Sequence, residues 1–242
     1  MPSSEQNHHI VKSYDDEQNA LLDQLIRMGQ MSAAQLEAAL DVVERRDDQA
    51  AQRVIGNDEA IDALEQQINH DVIQLIHRGP LAGDLRMILA ALRVASDIER
   101  IGDYAANIAK RSMALNLSPP LPHTRGLDAL GRMAVRQVRD VLEAYVNRDG
   151  EAALQVRARD AELDTLYTGL FRELLTYMME DERAITPCTH LLFMAKNLER
   201  IGDHATNIAE NIWFLVHGDE LLPPRDKRDE SNSTGIPTTQ AG

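Results

Sequence analysis

Aromatic side chains are scarce in this 242-residue chain, with three Phe, five Tyr and one Trp making 4%. A core must therefore be filled by Leu, Ile, Val, Ala and Met, and a hydrophobic content of 43% supplies enough of them. Apart from the β-branched pair these are good helix formers, so the palette is that of a helical bundle. Cysteine is nearly absent. Cys188 stands alone, which excludes an internal disulfide and fits a reducing compartment. No stretch approaches the roughly 18 apolar residues of a membrane span, and Met1 to Asn19 holds no apolar signal core. Positive charge is also in deficit, 25 Lys and Arg against 39 Asp and Glu, for a net charge of −14. Such a chain repels nucleic acid and anionic lipid, so neither is expected as a direct partner. The expectation is a cytoplasmic protein that does not insert into a membrane and reaches one only through partners.

What is present is helical periodicity. Leu22, Leu25, Ile26, Met28, Leu36, Leu40 and Val43 recur at three and four, which predicts a helix from about Asp16 to Arg46. Asp47 or Asp48 is placed to cap the next one. Val54, Ile55, Ile61, Leu64, Ile68, Val72, Leu75 and Ile76 carry that second helix, which Gly79-Pro80 ends. A third runs from about Asp84 to Leu115. Pro119, Pro120 and Pro122 then mark a linker. Leu127 to Asn147 predicts a fourth helix, and Asp149-Gly150 a break. Glu151 to Glu180 predicts a fifth, and Thr186-Pro187 the cap and first turn of a sixth that reaches about Val216. The segments become a loose arm over 1–14, a three-helix bundle over 15–116, a linker over 117–123, a second bundle over 124–217 and a disordered tail over 218–242. No segment alternates as a strand does.

The strongest feature is an internal repeat. Residues 99–110 read ERIGDYAANIAK and residues 199–210 read ERIGDHATNIAE, with nine of twelve positions identical. Earlier segments align at an offset of 102: Met28-Gly29-Gln30-Met31 with Leu130-Gly131-Arg132-Met133, Asp47 with Asp149, Asp58 and Asp62 with Asp160 and Asp164. The chain is therefore a duplication of about 100 residues, each copy three long helices that pack as an antiparallel bundle. The fold class is all-α, two tandem similar three-helix bundles.

The repeated carboxylates are the candidate site. Glu99 and Asp103 are four apart on one helix face, as are Glu199 and Asp203. Like charges at this spacing repel by a few tenths of a kcal/mol. Holding the same unfavourable pair in both copies suggests a gain, and the simplest is a hard cation taken by carboxylate oxygens. Asp58/Asp62 and Asp160/Asp164 have the same spacing and would converge on the same sites if helices two and three are neighbours. The competing reading is surface ion pairing, since Arg100 and Arg200 stand three residues before Asp103 and Asp203. Gly102 and Gly202 favour close helix packing or leave space beside an ion. Asn107 and Asn207, one turn on, are either outer supports of that ion or bundle hydrogen bonds. His204 has Tyr104 as its counterpart and is read as a chance neighbour. Neither a His-Glu-x-x-His nor a phosphate-cradling loop occurs, so no catalytic residue is assigned.

Glu-Arg-Ile-Gly-Asp followed by Ala-x-Asn-Ile, twice about a hundred residues apart, resembles the PhoU family of phosphate-transport accessory and regulatory proteins. Met-Gly-x-Met in helix one, Asp-Leu-Arg opening helix three and Tyr-Met-Met-Glu-Asp closing helix five support the likeness, which extends over about 8–217. The resemblance implies metal binding through Glu99, Asp103, Glu199, Asp203, Asp58, Asp62, Asp160 and Asp164, by a divalent or multinuclear centre of Mg, Mn, Fe or Zn. It implies a homodimer that restrains a PhoR-type sensor histidine kinase and acts with the PstB-type ATPase of a phosphate ABC transporter, as a negative regulator and not an enzyme. A metal-dependent hydrolase or oxidase, and a metal store, are the competing functions. Asp97 precedes Glu99 by two where Asn197 precedes Glu199, so the two sites would differ in charge if that position is a ligand.

Overall fold

The computed structural model describes residues 4–79, 82–120, 125–218, 222–223 and 227–231. The described residues form six helices and no strand. They are α1 (Ser4–Arg45), α2 (Asp48–His77), α3 (Ala82–Leu115), α4 (Arg125–Asn147), α5 (Gly150–Glu180) and α6 (Ile185–His217), with a 3-10 turn over Glu182–Ala184. The helix order read from the periodicity is the order observed. α1 starts earlier than expected: residues 4–14, read as a loose arm, already lie within it, and residues 1–3 are outside the described residues.

The break before the second helix of each bundle is built identically. Asp47 accepts the Ala50 N–H and Asp149 accepts the Ala152 N–H, each at 2.9 Å. The residue before each cap is left-handed, Arg46 at φ 55° and Arg148 at φ 49°. Arg46 is held there by its guanidinium, which donates to the carbonyls of Asn116 at 2.9 Å and Ser118 at 2.5 Å. It thereby satisfies acceptors just beyond the C-terminus of α3. The opening of α6 differs from expectation. Thr186 is not its cap; α6 begins at Ile185, directly after the 3-10 turn. Asp181 caps that turn by accepting the Arg183 N–H at 2.9 Å. A carboxylate upstream thus displaces a hydroxyl at the helix start.

α1, α2 and α3 pack pairwise, as do α4, α5 and α6, and the bundles join through α3 against α6 and α1 against α4. The joint explains two glycines. A Cβ on Gly29 would come 2.6 Å from Leu142, and one on Gly131 would come 2.6 Å from Leu40. Each glycine and each leucine is the other's counterpart at the offset of 102, so an approximate two-fold relates the halves. The glycines let α1 and α4 approach closely enough for the leucines to fill both contacts. Gly29→Ala and Gly131→Ala should each cost about 1–3 kcal/mol by overpacking, less the roughly 1 kcal/mol that alanine gains in a helix. Gly56 and Gly169 have nothing within 4 Å of a would-be Cβ, and alanine there should stabilise by about 0.5–1 kcal/mol. Urea denaturation of the four variants checks both signs.

Candidate functional site: two carboxylate clusters

The first cluster forms where α2 meets α3. Gly102 brings the two helices together: its Cβ would stand 3.0 Å from Ile61 Cδ1 and 3.4 Å from Asp58 Oδ1. Gln35 of α1, almost fully buried, donates to Asp58 Oδ1 at 2.8 Å and to the Gly102 carbonyl at 3.1 Å. Burial raises the Asp58 carboxyl above its ordinary range, and the charges of Asp103 and Asp62 add to this against the Gln35 bond. Glu99 is raised in the same way, by burial and then by Asp103, Glu65 and Asp62, against the opposing charge of Arg100. Asp58, Asp62, Glu99 and Asp103 are thus electrostatic neighbours, as the repeat predicted. The ion-pair reading of the motif is realised too, because Arg100 stands 3.1 Å from Asp103 and 3.4 Å from Glu99. Such exposed pairs contribute about 0–1 kcal/mol.

The second cluster, between α5 and α6, is buried more deeply. Asp160, Asp164 and Glu199 are 1%, 3% and 4% exposed, and Asp203 is half-buried. Gly202 again permits the approach, with a would-be Cβ 3.4 Å from Asp160 Oδ1 and 2.9 Å from both Leu163 and Gln137 Oε1. Gln137 is the counterpart of Gln35, but its buried amide makes no hydrogen bond among the described residues. Burial raises the Glu199 carboxyl, with Asp203 and Asp229 adding to it, although Lys196 pairs with it at 2.8 Å. A second lysine, Lys227, stands 3.0 Å from Asp203. The tail that supplies it was expected to be disordered. Instead residues 227–231 lie on α5 and α6, where the Arg228 N–H donates to Asp164 Oδ2 at 2.8 Å. The other tail residues beyond 218, except 222–223, are outside the described residues.

Asn207 and His204 serve the joint between the bundles. His204 Nδ1 lies 2.8 Å from Asp97 Oδ1, and Asn207 donates to the same oxygen at 3.2 Å. The His204 ring is also 5.7 Å from that of its counterpart Tyr104. His204 is therefore a placed interface residue and not a chance neighbour, and Asn207 makes the bundle hydrogen bond that was one of its two readings. Asn107 is half-buried on α3. Sequence reading missed Gln35, Gln137, Lys196 and the tail. Only the glutamines left a signal, as a polar residue repeated at the offset of 102.

The donor set bears on which cation would fit. Both clusters offer carboxylate and amide oxygens, which suit Mg²⁺, Mn²⁺, Ca²⁺ or iron over Zn²⁺. Among the described residues no three His, Cys, Asp or Glu side chains are gathered into a cage as they stand. In the first cluster Asp62 and Asp103 are partly exposed, so a shared ion would require these two side chains to rotate. The close approach at Gly102 and the carboxylate oxygens beside it are of a kind that would suit a hard cation there. In the second cluster Lys196 and Lys227 already supply the countercharge.

The family model for the PhoU domain matches the chain twice, over residues 25–112 and 127–212, which correspond to the two bundles. A phosphate-specific transport system accessory protein PhoU homolog of Xylella fastidiosa is 65% identical over 234 residues, 97% of this chain and 98% of the relative. The corresponding protein of Rhizobium meliloti is 44% identical over 232 residues, 95% of this chain and 98% of the relative. The crystal structure of PhoU from Pseudomonas aeruginosa matches with a TM-score of 0.82 at 34% identity, over 85% of this chain and 100% of that one.

Proposed function

The chain belongs to the PhoU family, and from that premise we propose that it is a negative regulator of phosphate uptake and of the phosphate-starvation response. In this reading it is a cytoplasmic, homodimeric adaptor between a Pst-type phosphate ABC transporter and a PhoR-type sensor histidine kinase. The observation that carries the reading is the pair of PhoU domains folded against each other, alike over nearly full length to accessory proteins of phosphate-specific transport.

Further features support an adaptor. Leu85, Leu89 and Leu92 share one face of α3, each more than a third exposed, and Ile73 and Ile76 are exposed on α2 near the turn between the two helices. Apolar groups grouped in this way are the kind of surface a protein partner covers. No helix among the described residues is long and apolar enough to cross a membrane, so contact with a transporter would run through its ATPase. Asp58, Asp62, Glu99 and Asp103 would hold a hard cation, which would supply a fixed positive centre between α2 and α3. The residues themselves would then set how tightly the two helices are clamped.

A tagged chain expressed in its own host should recover a PstB-type ATPase and a PhoR-type kinase from solubilised membranes. Its deletion should leave phosphate-starvation genes expressed at high phosphate. Recovery of neither protein together with unchanged expression would remove the adaptor reading.

A further inference from the structure

Residues 227–231 are seated as a bound peptide is seated. Asp229 is inserted most deeply, its side chain 11% exposed and 3.0 Å from Lys196 Nζ. The Ser231 N–H folds back onto Asp229 Oδ1 at 2.9 Å. Lys196 also meets Glu199 at 2.8 Å and lies 5.0 Å from the centre of the buried Tyr167 ring. Backbone donors flank this anchor: the Arg228 N–H reaches Asp164 at 2.8 Å and the Glu230 N–H reaches Thr168 Oγ1 at 3.3 Å. Lys227 reaches Asp203 at 3.0 Å, and Glu230 reaches Arg172 at 3.1 Å. Upstream, Arg157 donates to the Pro223 carbonyl at 2.5 Å.

The first half has the carboxylates but not the seat. At the repeat offsets Lys196 corresponds to Ser96, Tyr167 to Glu65, Thr168 to Gln66 and Arg157 to Ile55. An inserted aspartate would there lose its lysine and face Glu65. The ion pairs described for Glu99 and Asp103 come instead from Arg100 on their own helix.

We propose that the groove of α5 and α6 over the second cluster is a docking site for an extended Lys-x-Asp peptide, filled in cis by residues 227–231 of this chain. The tail closes the second cluster, with Lys227 and the Arg228 N–H lying where an incoming cation or basic partner would bind, whereas among the described residues no tail segment covers the first cluster. Docking needs no ion, so it is independent of the cation reading.

Hydrogen–deuterium exchange of the full chain in EDTA tests this. Peptides covering 227–231 should exchange about tenfold more slowly than in full-length Lys196→Ala/Lys227→Ala. Arg228→Pro, which deletes one tail N–H and leaves the bundles untouched, should release the tail equally while α6 keeps its protection. Carbodiimide labelling of Asp203 should rise several-fold in both variants. Tail exchange at the rate of an unstructured peptide in the unmodified chain would overturn the proposal. Protection that grows with protein concentration would do the same, because the occupant would then be the tail of a second copy.

Discussion

Mn²⁺ supplied at a hundred times its dissociation constant should stabilise the unmodified chain by about 2.7 kcal/mol, and a full-length Glu99→Gln/Asp103→Asn variant should lose most of that gain. The effect should depend on pH with a definite sign. Asp58 and Glu99 have carboxyls raised above their unfolded values, chiefly by burial and then by their acidic neighbours. Between the ordinary and the raised values the native state holds more protons than the unfolded chain. The stability these groups contribute is thus full below the ordinary carboxylate range and is lost as pH rises through the raised values. A cation replaces the missing protons, so its stabilising effect should be greatest near pH 7 and shrink on acidification toward about pH 5. The double variant, which removes the raised Glu99 carboxyl, should show a flatter pH dependence without ions. Thermal unfolding at both pH values, with EDTA and with Mn²⁺, reads all of this. Equal Mn²⁺ shifts in the two proteins would count against a cation at the first cluster.

Ile201→Ala should cost about 2–5 kcal/mol, a large part of the roughly 5–15 kcal/mol that holds a domain together. Ile201 is fully buried on α6, the helix that packs against α3, α4 and α5 at once. Its counterpart Ile101 is 1% exposed on α3, which holds the equivalent central place, and Ile101→Ala should behave alike. Val146, 47% exposed on α4, is the control, where alanine should change stability by about 0.5 kcal/mol or less. Urea unfolding followed by circular dichroism gives the three values. A cost below about 1 kcal/mol at both isoleucines would mean that these two helices do not carry the core.

The repeated motif was legible because each of its letters answers a local demand. Ile101 and Ile201 are buried in the core, Gly102 and Gly202 admit the neighbouring helix, and in the first half Glu99 and Asp103 are electrostatic neighbours of the aspartates of α2. Helical period and cap residues placed the elements for the same reason: their partners lie within four residues. What escaped depends on partners far along the chain. Asp97 finds His204 across 107 residues, and no local pattern announces that pair. The tail looked unstructured because prolines and charges dominate it, yet its charges have specific counterparts on α5 and α6. The polar character of residues 1–14 suggests a loose arm, while from Ser4 the helix extends one that is already nucleated downstream.

The contact of Asp97 with His204 makes the duplicated halves complementary and no longer interchangeable. By the offset of one hundred, the mirror position sets Asn197 opposite Tyr104. Two copies of the first half joined the same way would set aspartate against tyrosine on both sides, and two copies of the second would set asparagine against histidine. Only the mixed pairing brings acid to imidazole, so two halves of one fold are chemically a left and a right.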